Sequence, residues 1–185
     1  MCDYRRSLME IVVLGLLMIQ DLTVYQLNQA FKSGIALIYS ASYGSLLNAI
    51  KKLLASNEIT FIEMVENGRN KKIYHITEEG RAHFTQWMHA DIDENKTETM
   101  ALCKVFFLGL VDADNEKRKI LENIVSAITA IEEKLGQLSQ RLSQLQLTDE
   151  EMKIYGYQFK TLDYGMRSHQ VAREWAQELL GELPE

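Results

Sequence analysis

Two short stretches carry side chains whose types and spacing could do chemistry on a partner. The first is Ser42, Ser45, Asn48, Lys51 and Lys52. Leu46, Ala49, Ile50, Leu53 and Leu54 recur at helical spacing and take one side of a helix, which leaves the polar set for the other. Short hydroxyl and amide groups on an exposed helix face can approach base edges, and cations beside them can approach phosphates. Ser42 reads equally as a helix-start cap. The second stretch is Arg69, Lys71 and Lys72, a compact cluster of three cations next to Asn67-Gly68. A solvated helix face and a plain exposed turn are the alternatives for these cations.

Other chemistries find little support. His75, His83, His89 and His169 show no metal-ligand spacing, and no metal or other cofactor is expected. The two cysteines, Cys2 and Cys103, form no C-x-x-C pair, a usage that fits a reducing compartment. Cys103 lies in an apolar helix and reads as an inert buried thiol. Nucleophile elbow, phosphate loop, dinucleotide fingerprint and paired catalytic carboxylates are all absent, so no enzyme is expected. The apolar run Ile11 to Ile19 is about half the length that spans a bilayer and reads as a core helix. The expected location is cytoplasmic, with no membrane role.

The elements that position the two stretches follow from punctuation and periodicity. Ser7 to Gln20 is apolar nearly all round, as a buried first helix would be. Thr23-Val24-Tyr25-Gln26 has the form of a capping box, and Val24, Leu27 and Phe31 continue at helical spacing to a stop at Gly34. Ser40 is placed to cap the third helix. Ile59 to Glu66 is rich in β-branched and aromatic residues, Asn67-Gly68 is a strong hairpin signal, and Lys71 to Ile76 returns as the second strand. A fourth helix runs from Thr77 to about His89. Helix, helix, helix, hairpin, helix is the order of a winged helix-turn-helix, assigned to residues 1–90. The polar, acidic segment from Ala90 to Lys96 marks the boundary.

Residues 97–183 read as a helical dimerisation domain. Thr97 to Leu110 is a short apolar helix. Asp112 or Asp114 caps a long one, whose Leu121, Ile124, Ile128, Ile131, Leu135, Leu138, Leu142 and Leu145 step by threes and fours in a coiled-coil seam. At ~1.5 Å per residue this helix spans roughly 50 Å. Thr148-Asp149-Glu150-Glu151 is a second capping box and opens a last helix with Tyr155, Phe159, Leu162 and Met166 on one seam. The seams serve either a hairpin within one chain or a dimer core. Tyr157, Tyr164 and Trp175 could line a pocket for a small aromatic effector, or pack as core. The predicted fold class is therefore mainly α with a small β-hairpin: a winged helix-turn-helix head followed by a long-helix dimerisation domain.

Charge divides along the same boundary. Residues 1–90 hold nine Lys/Arg against eight Asp/Glu, a net of +1, while residues 91–185 hold eleven against eighteen, a net of −7. The net charge of −6 thus belongs to the second half, and the first half can still carry a local basic face.

Val13-Leu14-Gly15-Leu16-Leu17, Tyr25-Gln26-Leu27, Ser42-Tyr43-Gly44-Ser45-Leu46 with Ala49-Ile50-Lys51-Lys52-Leu53, and Tyr74-His75-Ile76-Thr77-Glu78-Glu79-Gly80-Arg81 form a set with matching spacing. Together they resemble the PadR family of bacterial transcriptional regulators. Lys104-Val105-Phe106-Phe107-Leu108-Gly109 and Leu162-Asp163-Tyr164-Gly165 resemble, more loosely, the C-terminal helical domain of the family's virulence-activator branch. The resemblance implies a homodimer on a near-palindromic double-stranded DNA operator, most often a repressor, with activators in the virulence branch and aromatic or planar ligands bound between subunits in some relatives. The family usually has Tyr-Pro where this chain has Leu47-Asn48, and its tyrosine's DNA role is not carried over to Leu47. Asn48 supplies a donor and an acceptor there, which suits adenine. A protein-interaction module, pairing the winged helix and acidic tail with a partner other than DNA, is the alternative function.

Overall fold

The computed structural model describes residues 7–66 and 69–184, and of Glu66 and Arg69 the backbone alone. The Asn67-Gly68 turn, Cys2 and the Arg69 side chain lie outside the described residues. The chain divides into two compact units, a head of residues 1–90 with Leu102–Asp112 and a tail of Asp91–Ala101 with residues 113–185.

In the head, α1 (Leu8–Ile19) is buried from Met9 to Leu17, as its apolar circumference requires. α2 (Val24–Ser33) begins at Thr23 with the expected capping box. A short 3₁₀ turn (Ile35–Leu37) leads to α3 (Tyr43–Ala55). Ser42, not Ser40, caps α3, and its hydroxyl accepts from Ser45 N–H at 3.1 Å. Asn57, at φ 57°, turns the chain out of α3 in the left-handed region that asparagine tolerates. β1 (Ile59–Glu66) and β2 (Arg69–Ile76) form an antiparallel ribbon whose register pairs Ile59 with Ile76 and Glu66 with Arg69. α4 (Glu78–His89) is capped by Thr77. It starts so close to β1 that a Cβ on Gly80 would lie 2.2 Å from the Glu58 carbonyl oxygen.

The head also takes in residues that the sequence assigned to the other domain. α5 (Thr97–Phe106) ends in a 3₁₀ turn (Leu108–Leu110), and the residues from Leu102 onward cluster with the head. The reason is Phe107. Its ring occupies the space beside Gly15 of α1, where an added Cβ would sit 2.6 Å from two ring carbons. Phe84 meets Phe107 edge-on at 5.6 Å. Lys104 is fully buried, and its ammonium donates to the carbonyls of Met88 and Ala90 at the end of α4. A cation at a helix C-terminus meets carbonyls that have no partner inside the helix.

The tail contains α6 (Asp114–Ser143) and α7 (Asp149–Gly181), packed as an antiparallel hairpin. Ala113 is the N-cap of α6 and supplies no side-chain bond. Neither Asp112 nor Asp114 caps it, and Asp114 sits in the first turn paired with Lys117 at 2.8 Å. Thr148 and Glu151 make the expected capping box on α7. Arg173 to Glu132 at 2.6 Å, and Arg118 to the Leu183 and Pro184 carbonyls, fix the pairing of the helices. Among the described residues, no helix is long and apolar enough to cross a membrane.

Candidate nucleic-acid interface

α3 faces the core with Leu46, Ala49, Ile50 and Leu53 and presents the rest of its circumference to water. Its sequence from Tyr43 to Ala55 holds no acidic residue. The outward side chains are not equivalent. Asn48 and Lys51 are exposed. The Ser42 and Ser45 hydroxyls lie 3.0 Å apart, so both take part in starting the helix.

Lys52 behaves differently from its neighbour. Its ammonium lies 3.1 Å from Oε1 of Glu10, a carboxylate buried in α1. A buried charge is costly without a partner, so Lys52 carries a structural task that Lys51 does not. Sequence reasoning missed Glu10. The signal was present, because Glu10 is the one charged residue between Leu8 and Ile19. Tyr43 and Leu47 were also missed as surface: both are exposed on the flank of α3 away from Ser45 and Lys52. With Lys52 turned toward α1, the outward face centres on Asn48 and Lys51, bordered by Tyr43 and Leu47.

The ribbon corrects a second expectation. Lys71 and Lys72 do not form one cluster, because successive strand residues point to opposite faces. Lys72 lies on the face of Phe61 and Glu63, 4.0 Å from the Phe61 ring centre and 3.3 Å from a Glu63 oxygen. Lys71 lies on the other face, opposite Met64.

The ribbon is held at its base from two sides. Leu22 and Tyr74 exchange backbone hydrogen bonds of 3.2 and 2.9 Å, and beside them His75 Nδ1 lies 2.8 Å from an Asp21 carboxylate oxygen. On the other side, His83 Nδ1 lies 2.7 Å from Glu58 Oε2. These ties fix the ribbon to the entrance of α2 and to α4. Among the described residues no group of His, Cys, Asp or Glu is placed to hold a metal ion.

An outward cationic helix without acidic residues, followed by an anchored β-ribbon, is the geometry of a winged helix-turn-helix. The sequence of the head agrees: residues 13–86 match the Transcriptional regulator PadR-like family. The Negative transcriptional regulator PadR of Bacillus subtilis (strain 168) is 28% identical over 100 residues, which are 52% of this chain and 54% of the relative, so the match spans about half the relative's length. Among solved structures, Bacillus subtilis PadR in complex with operator DNA is similar with 20% identity, a TM-score of 0.44, and coverage of 95% of this chain and 98% of that one. The PadR-like transcriptional regulator BC1756 from Bacillus cereus has 24% identity, a TM-score of 0.44, and coverage of 99% and 100%. Residues 13–86 are thus similar to transcriptional regulators of the PadR-like family.

The tail residues distribute in a way the seam alone did not reveal. Ile124 and Ile128 are buried within their own chain and offer nothing to a partner. Ile131, Leu135, Leu142, Phe159, Leu162 and Met166 are half-buried along the hairpin, while Leu138 and Tyr155 are exposed. Leu138, Leu142, Leu145, Tyr155, Phe159 and Leu162 line an open, largely apolar groove of about 460 Å³ near the tip of the α6–α7 hairpin. Tyr157 and Tyr164 do not line it. They stand on the outer side of α7, 74% and 72% exposed, and Trp175 is half-buried near the helix end.

Proposed function

We propose that this chain is a homodimeric, sequence-specific DNA-binding regulator that represses transcription from a near-palindromic operator. The observation that carries the reading is the outward face of α3, where Asn48 and Lys51 are exposed on a helix without acidic residues. Asn48 is the base reader, Lys51 and Lys71 are phosphate contacts, and Arg69 extends that set by its place in sequence. Lys72, on the other face of the ribbon, pairs with Glu63. Repression is supported by the name of the Bacillus subtilis relative, a negative regulator.

Dimerisation is supported by the tail. Ile154, Tyr157, Tyr164 and Val171 lie three or seven residues apart on α7 and are all exposed. This is a second apolar line, outside the one that α6 covers, and apolar surface at heptad spacing is what a second helix pair would bury. Two-fold protein symmetry then matches two half-sites. The groove near the hairpin tip has the size and lining for a small aromatic effector, flanked by Tyr155 and Phe159.

Footprinting over DNA upstream of the protein's own gene tests the reading. Two protected half-sites are expected, with affinity falling steeply as salt rises. Absence of protection at moderate salt, with and without small planar aromatics, would overturn it. Sedimentation at micromolar concentration tests the dimer, and a monomer there would remove it.

A further inference from the structure

α3 presents an apolar element within its cationic face. Leu47 is 42% exposed and Tyr43, one turn earlier, is 53% exposed. Both border the inward side formed by Leu46, Ala49, Ile50 and Leu53 and still keep about half of their surface in water. Leu47 stands directly before Asn48 and one turn before Lys51, so it belongs to the face that meets DNA in the function proposed above, on which this inference rests.

The chemistry of the groove narrows what Leu47 can meet. The major-groove edges of the bases present hydrogen-bond donors, acceptors and one apolar group, the C5-methyl of thymine. A leucine in that position makes no hydrogen bond, and against a donor or acceptor it would strand that group without water. Against a methyl group it removes apolar surface from water on both sides. A protein partner fits the patch poorly, since a stable protein interface needs on the order of 1,000 Å² and this patch is one leucine with one tyrosine. The serine hydroxyls at the start of α3 bond each other and the helix start, while Asn48 and Leu47 are exposed further along the helix.

We infer that Leu47 is a specificity residue that recognises the C5-methyl group of a thymine in each operator half-site, next to the base pair read by Asn48. The half-site is then A·T-containing at this point.

The test uses the full-length protein. A binding site is first selected from random duplexes, and each thymine in it is then replaced, one at a time, by deoxyuridine, which removes only the methyl group. Binding is followed by fluorescence anisotropy at fixed salt. At one thymine per half-site the wild-type protein should bind about fourfold more weakly, the worth of one buried methyl group. Leu47→Ala should bind the thymine and deoxyuridine sites equally, and Leu47→Met should keep the distinction. Leu47 is on the surface, so Leu47→Ala is expected to fold, and its melting temperature checks this. Wild-type binding indifferent to every deoxyuridine, or a penalty that persists in Leu47→Ala, would overturn the inference while leaving DNA binding intact. Failure to select any duplex would instead remove the DNA-binding reading itself, and this inference with it.

Discussion

The head and the tail are both mostly helical, yet they dispose of their apolar residues in different ways. In the head, α1 is covered on every side, Leu27 and Phe31 close α2 against it, and Phe107 fills the space that Gly15 leaves. In the tail, α6 is buried at Ile120, Leu121, Ile124 and Ile128, but toward the hairpin tip its leucines are only half covered, and α7 keeps a line of exposed apolar residues along its outside. A core of four helices and a ribbon, completed by residues 102–112, closes on itself. Two helices laid side by side cover only one stripe each. The head therefore covers its apolar residues within one chain, whereas the tail leaves a line of them exposed.

The comparison can be broken most severely in the head. Phe107→Ala empties the centre of its aromatic cluster and should cost about 4 kcal/mol. Gly15→Ala drives a Cβ into the same ring and should cost about 2 kcal/mol, read as a lowered denaturation midpoint. If either leaves stability unchanged, the 102–112 segment does not complete the head. The tail should answer differently. Tyr164→Glu with Val171→Glu places charges on exposed positions, so the helical signal of the chain should persist. The dimer dissociation constant should rise about a hundredfold, as hot-spot losses of ~3 kcal/mol imply. Sedimentation reads this, and an unchanged dimer would show that the outer line of α7 is not the interface.

Smaller effects separate residues within the head. Lys52→Met removes a partner of the buried Glu10 and should lower stability by about 1 kcal/mol, a modest figure because the lysine is half exposed. Lys51→Met should leave stability unchanged and lower DNA affinity, with the salt slope reduced by about one contact. Equal effects of the two on stability would show that the Glu10 pair does not distinguish them.

The smallest expected effect is on the tail. Hydrogen bonds from Thr148 N–H and Oγ hold the Glu151 carboxyl below its ordinary value of 4.5. A carboxyl lowered by folding adds stability that is present above its unfolded value and is lost as pH falls through its folded one. Helicity at the start of α7 should therefore decline slightly below pH 4.5, and Glu151→Gln should flatten that decline in circular dichroism.

Much of this was legible from residue order. Thr23 with Gln26 and Thr148 with Glu151 announce helix starts because a cap is a local arrangement of four residues. The β-branched and aromatic residues of Ile59 to Glu66, followed by Asn67-Gly68, announced the ribbon, and the apolar spacing of α3 announced its inward side. The site was less legible. Lys51 and Lys52 are adjacent and chemically identical, and only the position of Glu10 in space tells them apart. Lys71 and Lys72 read as one cluster until the strand pleat sets them on opposite faces. Nothing near Lys104 in sequence shows that two carbonyls at the end of α4 await it.

The sequence by itself determined the element order, the two capping boxes, the inward face of α3 and the separation of charge between the two halves, because each depends on neighbours within a few residues or on simple counts. Tertiary structure alone decided which lysine of α3 pairs with Glu10, that Phe107 belongs to the core of the head, and which line of α7 remains uncovered. Those outcomes depend on residues brought together from distant parts of the chain, and burial, which sets the cost of an unpaired charge or an uncovered apolar side chain, is defined only once the chain has folded.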